Sequence, residues 1–323
     1  MKSKFVHYLV YLAVRVAVCW LQSLSIEACA QVAKFSAWLA YDIFYIRREL
    51  LDENIRHALP NLSLREQQQL ARGTLEHLVL MCCEIMHAPR KIHETNWRKH
   101  VVIDRKREIV TQLLDPRPTC LVTGHIGNFE IGGYMTGILG MVTHTVARTL
   151  DNPYLDEFLL KFREAKGQYI LPKVGSAPQA DAVLKTGGTL VLLGDQNGGT
   201  RGCKVDFLHR PTHCHKALAL FTLVSGAPMM TIYCRRKDKP MQFEIGTKGI
   251  ADPALGGPHL ADARKLSQWY MDRLAEMILE APDQYWWLHR LWRDMKPAKK
   301  ATAAENTAAG DSTPVERERR QAA

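Results

Sequence analysis

Residues 119–130 read TCLVTGHIGNFE. The first five favour an extended chain, Gly124 breaks the run, and an apolar helical stretch from 128 to 140 follows, stopping at Gly140. The reading is strand, sharp turn, helix, and the unit recurs down the chain. HTVAR (144–148) is a second strand, after which Asp151, Asn152 and Pro153 supply cap and first-turn signals for the helix YLDEFLLKFREAKG. YILP (169–172) is a third strand and SAPQADAVLKTGG (176–188) a helix with a glycine stop. TLVLLGD (189–195) reads as a buried strand and HKALALFTLVSGAP (215–228) as another helix. PMMTIYCRR and MQFEIGTK are two more strands, paired through the turn KDKP, and ADARKLSQWYMDRLAEMILEAP is the last long helix. This alternation predicts an α/β fold with a mostly parallel central sheet flanked by helices.

Upstream of about residue 100 the pattern is all helical. Residues 5–21, FVHYLVYLAVRVAVCWL, are almost continuously apolar, broken by His7 and Arg15 and preceded by Lys2 and Lys4. The stretch is near the minimum length of a bilayer span, and a mid-helix charge there has to snorkel. A second apolar stretch, CAQVAKFSAWLAYDIFYI (29–46), follows at once, so cleavage of a signal peptide near ACA (28–30) would strand it. An uncleaved membrane anchor or interfacial helix is therefore expected, with a buried soluble helix as its rival. RRELLDENIRHALP (47–60) reads as a polar helix, and SLRE (63–66) as a capping box opening a long helix to about His87. The expected organisation is an anchor region 1–46, a helical lead-in 47–100, an α/β domain 101–295, and a disordered tail 296–323 without apolar period.

The 323 residues carry a net charge of +10 with histidine neutral, and 46% are hydrophobic. There is enough apolar residue for a large core, and the excess charge suits an anionic partner: nucleic acid, an anionic membrane or an acidic carrier protein. The eight cysteines lie mostly in apolar runs with no CxxC, which reads as a reducing compartment rather than a disulfide framework.

Ligands of open α/β sheets gather beyond the carboxyl ends of strands, and His125 stands at such an edge. Gly124 and Gly127 let the chain turn there, and Glu130 falls in the first turn of the next helix. Across a loop-to-helix junction the two side chains can converge, and a carboxylate that orients an imidazole makes a general base. A capping glutamate beside an incidental histidine gives the same pattern. LLGDQNGG (192–199) places Asp195, Gln196 and Asn197 at the same edge, as a headgroup loop or an ordinary polar loop. Arg148 and Arg163 suit phosphate, or are surface charges. CKVDFLHRPTHCHK (203–216) holds Cys203, His209, His213, Cys214 and His215, but without regular metal-ligand spacing, so a loop over the site is expected rather than a metal centre. QYWWLHRLWRD (284–294) mixes Trp286, Trp287 and Trp292 with His289, Arg290 and Arg293, which suits a bilayer interface, nucleic-acid stacking or an aromatic cap on the core.

Taken together, GHIGNFE, ARTLDNPYLDEFLLKFREAKG, LLGDQNGG, VDFLHRPT, QYWWLHRLWR and the lead-in ENIRHALPNLSLRE resemble the bacterial lipid A biosynthesis acyltransferases, the late lauroyl/myristoyl transferases of the lysophospholipid acyltransferase superfamily. The match in order and spacing covers about residues 1–295. The resemblance implies a glycerol-3-phosphate acyltransferase-like fold. It implies that His125 is the general base on an acceptor hydroxyl, oriented by Glu130, with direct attack on an acyl thioester. Arg148 and Arg163 would meet phosphates, Asp195 would shape the site, and Gly127, Asn128 and Gln196 would line it. The implied donor is acyl carrier protein, or acyl-CoA; the acceptor is an anionic glycolipid, a lipid A precursor first. The implied location is the cytoplasmic face of the inner membrane, with no metal, cofactor or nucleic acid required. The sequence departs from the family after VDFL, where His209, His213, Cys214 and His215 replace glycine and small residues, which loosens the acceptor assignment. A lysophospholipid or a phosphoinositol mannoside-like glycolipid is the alternative acceptor. A basic nucleic-acid- or membrane-binding protein is the non-enzyme alternative, although no nucleic-acid-binding signature is present. A serine or cysteine hydrolase would want a GxSxG elbow, which is absent.

Overall fold

The computed structural model describes residues 4–292. The proposed tail at 296–323, Lys2 and Arg293 lie outside the described residues.

Four helices open the chain: α1 (Lys4–Ser23), α2 (Ile26–Trp38), α3 (Arg48–Ala58) and α4 (Leu64–Lys91). α1 stops at Ser23 and Ser25 caps α2 by accepting from the amide of Ala28, so the first apolar stretches are two helices. The capping box at 63–66 forms: Ser63 Oγ accepts from Glu66 N while Glu66 Oε2 accepts from Ser63 N at 2.7 Å. α4 continues through Pro89 to Lys91, beyond the expected end, because a proline one turn from a terminus costs few hydrogen bonds. α1 is long and apolar enough to cross a membrane, and Phe5, Leu9, Val16 and Trp20 stand exposed on it. Its one central charge is exposed but leans on aromatic rings. Arg15 donates to Tyr11 Oη at 3.0 Å and lies 5.0 Å from the ring of Phe158.

The sheet then alternates with helices: β1 (Val101–Ile103), α5 (Lys106–Leu113), β2 (Thr119–Thr123), α6 (Phe129–Ile138), β3 (Thr143–Ala147), α7 (Pro153–Glu164), β4 (Gln168–Pro172), α8 (Ala177–Lys185) and β5 (Thr189–Leu193). Asn152 caps α7 as its sequence predicts, accepting from Tyr154 N and Leu155 N. A two-stranded antiparallel unit, β6 (Cys203–Phe207) and β7 (Arg210–Cys214), stands apart from the main sheet. α9 (Ala217–Ser225), β8 (Met229–Arg236), β9 (Phe243–Ala251) and α10 (Ala263–Glu280) complete the chain. The seven-stranded sheet runs β1-β9-β8-β2-β5-β3-β4, parallel except for the expected β8–β9 hairpin.

β1, α5 and the β6–β7 hairpin go beyond what the sequence pattern predicts. The first two are short, at three and eight residues. The hairpin replaces the expected loop: Cys203 pairs with Cys214 and Lys204 with His213 across it, and Leu208 and His209 form its two-residue turn, both with positive φ. Such a turn normally carries Asn-Gly, so the sequence hides it.

Candidate active site

β5 returns between β2 and β3, so the ends of β2 and β5 lie side by side. Thr123 is in register with Leu193, and Gly194 N continues the ladder to Thr123 O at 2.7 Å. His125 and Asp195 each lie two residues past that pair and meet. His125 Nδ1 is 2.9 Å from Asp195 Oδ1, and the His125 amide donates to Oδ2 at 2.8 Å. Gly124 permits this approach, since a Cβ there would sit 3.1 Å from Asp195 Cγ. Asp195 is buried, and the carboxylate fixes the imidazole with its proton on Nδ1 and Nε2 as the basic nitrogen. Nε2 takes no hydrogen bond among the described residues.

This corrects the expected pairing of His125 with Glu130. Asn128 Oδ1 caps α6 by accepting from Ile131 N, and Glu130 in the first turn points to α7 instead. There it forms a two-pronged ion pair with Arg163, with Nε to Oε2 at 3.0 Å and a second contact from Nη2 to Oε1. Glu130 therefore reaches His125 only as a nearby charge. Arg163 is correspondingly committed to a protein carboxylate rather than free for phosphate.

Both residues line a cavity of about 470 Å³ that runs from His125 along the sheet. Leu121, Val191, Ile232 and Ile245 supply the sheet wall, and Gly132 and Gly133 give α6 a face without side chains. Arg148 and Gln196 line it. Arg148 is largely exposed and, among the described residues, paired only with Asp151, at 2.7 Å, a bond that a competing anion can replace. Gly127 and Asn128 are not part of the wall; Asn128 is fully buried with its side chain bonded to protein. Of the Cys/His cluster only His215 reaches the cavity, and among the described residues its side chains form no group of three metal-ligating donors.

Two contributions were missed by sequence reasoning. His289 stands against His125, ring centroids 4.6 Å apart, and burial beside that imidazole pushes its pKa down to about 4. His125, Asp195 and His289 each bring one donor atom within 4.8 Å of the others. The chain around His289 also forms one side of the 124–128 loop. Gly127 N donates to Gln284 O at 2.8 Å and Trp286 N to His125 O at 3.0 Å. Tyr285 and Trp287 are fully buried, so the closing aromatics are a cap on the core. The one available signal was the Trp-rich composition itself.

The family model for bacterial lipid A biosynthesis acyltransferases matches residues 2–294. The chain belongs to that family. It is an acyltransferase. The lipid A biosynthesis lauroyltransferase of Escherichia coli K12 is 23% identical over 257 residues, which cover 76% of this chain and 79% of that protein. A phosphatidylinositol mannoside acyltransferase of Mycobacterium tuberculosis is 24% identical over 226 residues, covering 66% of this chain and 69% of that one. Among solved structures, the 1-acyl-sn-glycerophosphate acyltransferase PlsC of Thermotoga maritima aligns over 79% of this chain and 97% of its own, with a TM-score of 0.39 and 11% identity.

Proposed function

We propose that this acyltransferase moves a fatty acyl chain from an acyl thioester, carried by acyl carrier protein or CoA, to a hydroxyl of a lipid A precursor or related glycolipid. His125 Nε2 removes the hydroxyl proton as the oxygen attacks the thioester carbonyl. The C–S bond then breaks, and the protonated imidazole returns the proton to the leaving thiolate. Asp195 holds Nδ1 and stabilises the imidazolium between those steps. The acyl chain occupies the apolar cavity beside His125, and Arg148 at its wall meets a phosphate of the acceptor or donor.

The observation that carries this reading is the His125–Asp195 pair at the edge of an apolar cavity of about 470 Å³. Two polar groups positioned for proton transfer, with a long apolar space beside them, suit a lipid chain held at a reacting carbonyl. The exposed apolar face of α1 supports membrane association, and the family supports the inner membrane's cytoplasmic face, where acyl thioesters are found.

The test is a paired lipid profile. The gene is deleted in its host and complemented with wild type or His125→Ala, and total lipids and lipid A are weighed by mass spectrometry. The expected result is a glycolipid lighter by one acyl chain, restored by wild type alone. Identical profiles from the two complemented strains would remove His125 as the base. A change confined to another glycolipid would move the acceptor away from lipid A.

A further inference from the structure

Behind the catalytic loop lies a second set of polar groups, none of which lines the cavity. Glu84 of α4 is fully buried, and each of its carboxylate oxygens accepts twice. Oε1 takes Arg236 Nε at 2.6 Å and Met241 N at 3.1 Å. Oε2 takes Arg236 Nη2 at 2.7 Å and Asn128 Nδ2 at 3.0 Å. The remaining arm of the guanidinium, Nη1, donates to His77 Nδ1 at 3.0 Å. The proton of that imidazole is therefore on Nε2, which donates to Gly127 O at 3.1 Å. The circuit leaves the loop at Gly127 and returns to it at Asn128.

The rest of the main chain there is equally committed. Asn128 N donates to Cys234 O at 2.7 Å, and Gln284 joins its side chain to both main-chain groups of Arg236 at 2.8 Å. Gly127 has φ +60°, and a Cβ on it would sit 2.1 Å from Cys234 O. The peptide between His125 and Glu130 is thus pressed against β8 and gripped from α4.

A buried ion pair is a poor way to stabilise a core, since apolar residues of similar volume often do as well. A fully satisfied network does fix one geometry. We propose that Glu84, Arg236 and His77 are positioning residues for acyl transfer: a closed clamp that fixes the 127–128 peptide and, through it, the setting of His125 against Asp195. The proposal rests on the reading of His125 as the base.

Two variants test it in the full-length protein. Asn128→Ser keeps an oxygen to cap α6 but loses the donor to Glu84, and leaves the ion pair whole. The double variant Glu84→Met/Arg236→Met removes both charges together, so neither is left unpaired. Steady-state acyl transfer, its pH profile and hydrogen exchange of the 120–131 peptide are measured, with α10 as internal reference. The clamp predicts kcat lower by about 10- to 100-fold, the usual cost of loosening an outer shell or misplacing a reacting group. KM should stay within about twofold, because the cavity wall is untouched. The acid limb should move to lower pH as His125 slips from Asp195, and amides 126–128 should exchange faster while α10 does not. A folded variant with parental kcat and pH profile overturns the proposal, and if the double variant fails to fold, Asn128→Ser decides alone. If His125→Ala itself transfers acyl chains as well as wild type, the base assignment has failed instead. Exchange then decides: parental rates at 126–128 in Asn128→Ser overturn the clamp whatever the reaction.

Discussion

Opposing forces act on His125. Burial disfavours its protonated form, but the charge and hydrogen bond of Asp195 outweigh that, with a smaller push from Glu130, and hold its pKa above the ordinary value. Asp195 is buried too, which alone would raise its carboxyl, yet His125 holds it below the usual range. A base works when neutral, so the rate should fall as pH drops through the raised pKa of His125. Asp195→Asn should shift that acid limb to lower pH and lower kcat by about two to four orders of magnitude, having lost the partner that orients the imidazole. A pH–rate profile of the variant checks both; an unmoved limb with parental kcat would show that Asp195 does not serve His125. The sequence pointed to His125 through its place after a strand and a glycine. It placed Asp195 at the same sheet edge but joined His125 to Glu130 instead, since five-residue spacing across a helix start does not fix side-chain direction. The true partner, 70 residues on, depends on the register of β2 with β5.

At the scale of elements, the β6–β7 hairpin turns through two left-handed residues. Leu208 is buried and has packing to justify its strained backbone, but His209 is exposed. A left-handed non-glycine residue costs roughly 1–2 kcal/mol, so His209→Gly should raise unfolding stability by about 1 kcal/mol. Urea denaturation measures it, and a loss of stability would mean that the imidazole has contacts of its own to lose. The turn explains where this histidine sits. α1 carries a different expectation. Tyr8 and Tyr11 meet Tyr154, Arg15 meets Phe158, and Asn152 Nδ2 donates to His7 O at 2.8 Å. The inner face of α1 thus packs on α7, which carries Arg163, while its outer face is apolar and exposed. Deleting residues 1–24 should release the protein from membranes in a flotation assay. If it still floats with lipid, a different surface is the anchor. The apolar run made α1 legible, but its inward face was not, since the partner aromatics lie on a helix 130 or more residues away.

The whole chain has a net charge of +10, and the two proposed donors differ in how they would meet it. Acyl carrier protein is acidic over its surface, so its encounter with a basic enzyme is steered over a distance comparable to the Debye length. Acyl-CoA brings its charge in a few phosphates close to the site, where contact rather than steering counts. Raising salt from about 0.05 M to about 0.5 M shortens the Debye length severalfold. The expected outcome is a fall of about tenfold in kcat/KM with acyl carrier protein, carried mostly by association, and a smaller fall with acyl-CoA. Stopped assays with both donors across that range decide it. A flat response to the carrier protein would mean that the excess charge serves another partner, of which an anionic lipid surface is the first to test. The sequence gives only the sum of the charges, because composition records no direction. The fold class was legible at the same scale, since strand–helix alternation survives errors of a residue or two at each boundary. Strand order was not, and β5 returning beside β2 is the step that turns a sum of elements into a site. If salt separates the two donors as predicted, the charge can be mapped next by reversing single exposed lysines near the cavity, starting with Lys173 on its rim. Lys173→Glu should then lower kcat/KM for the carrier protein at low salt and leave the high-salt value unchanged.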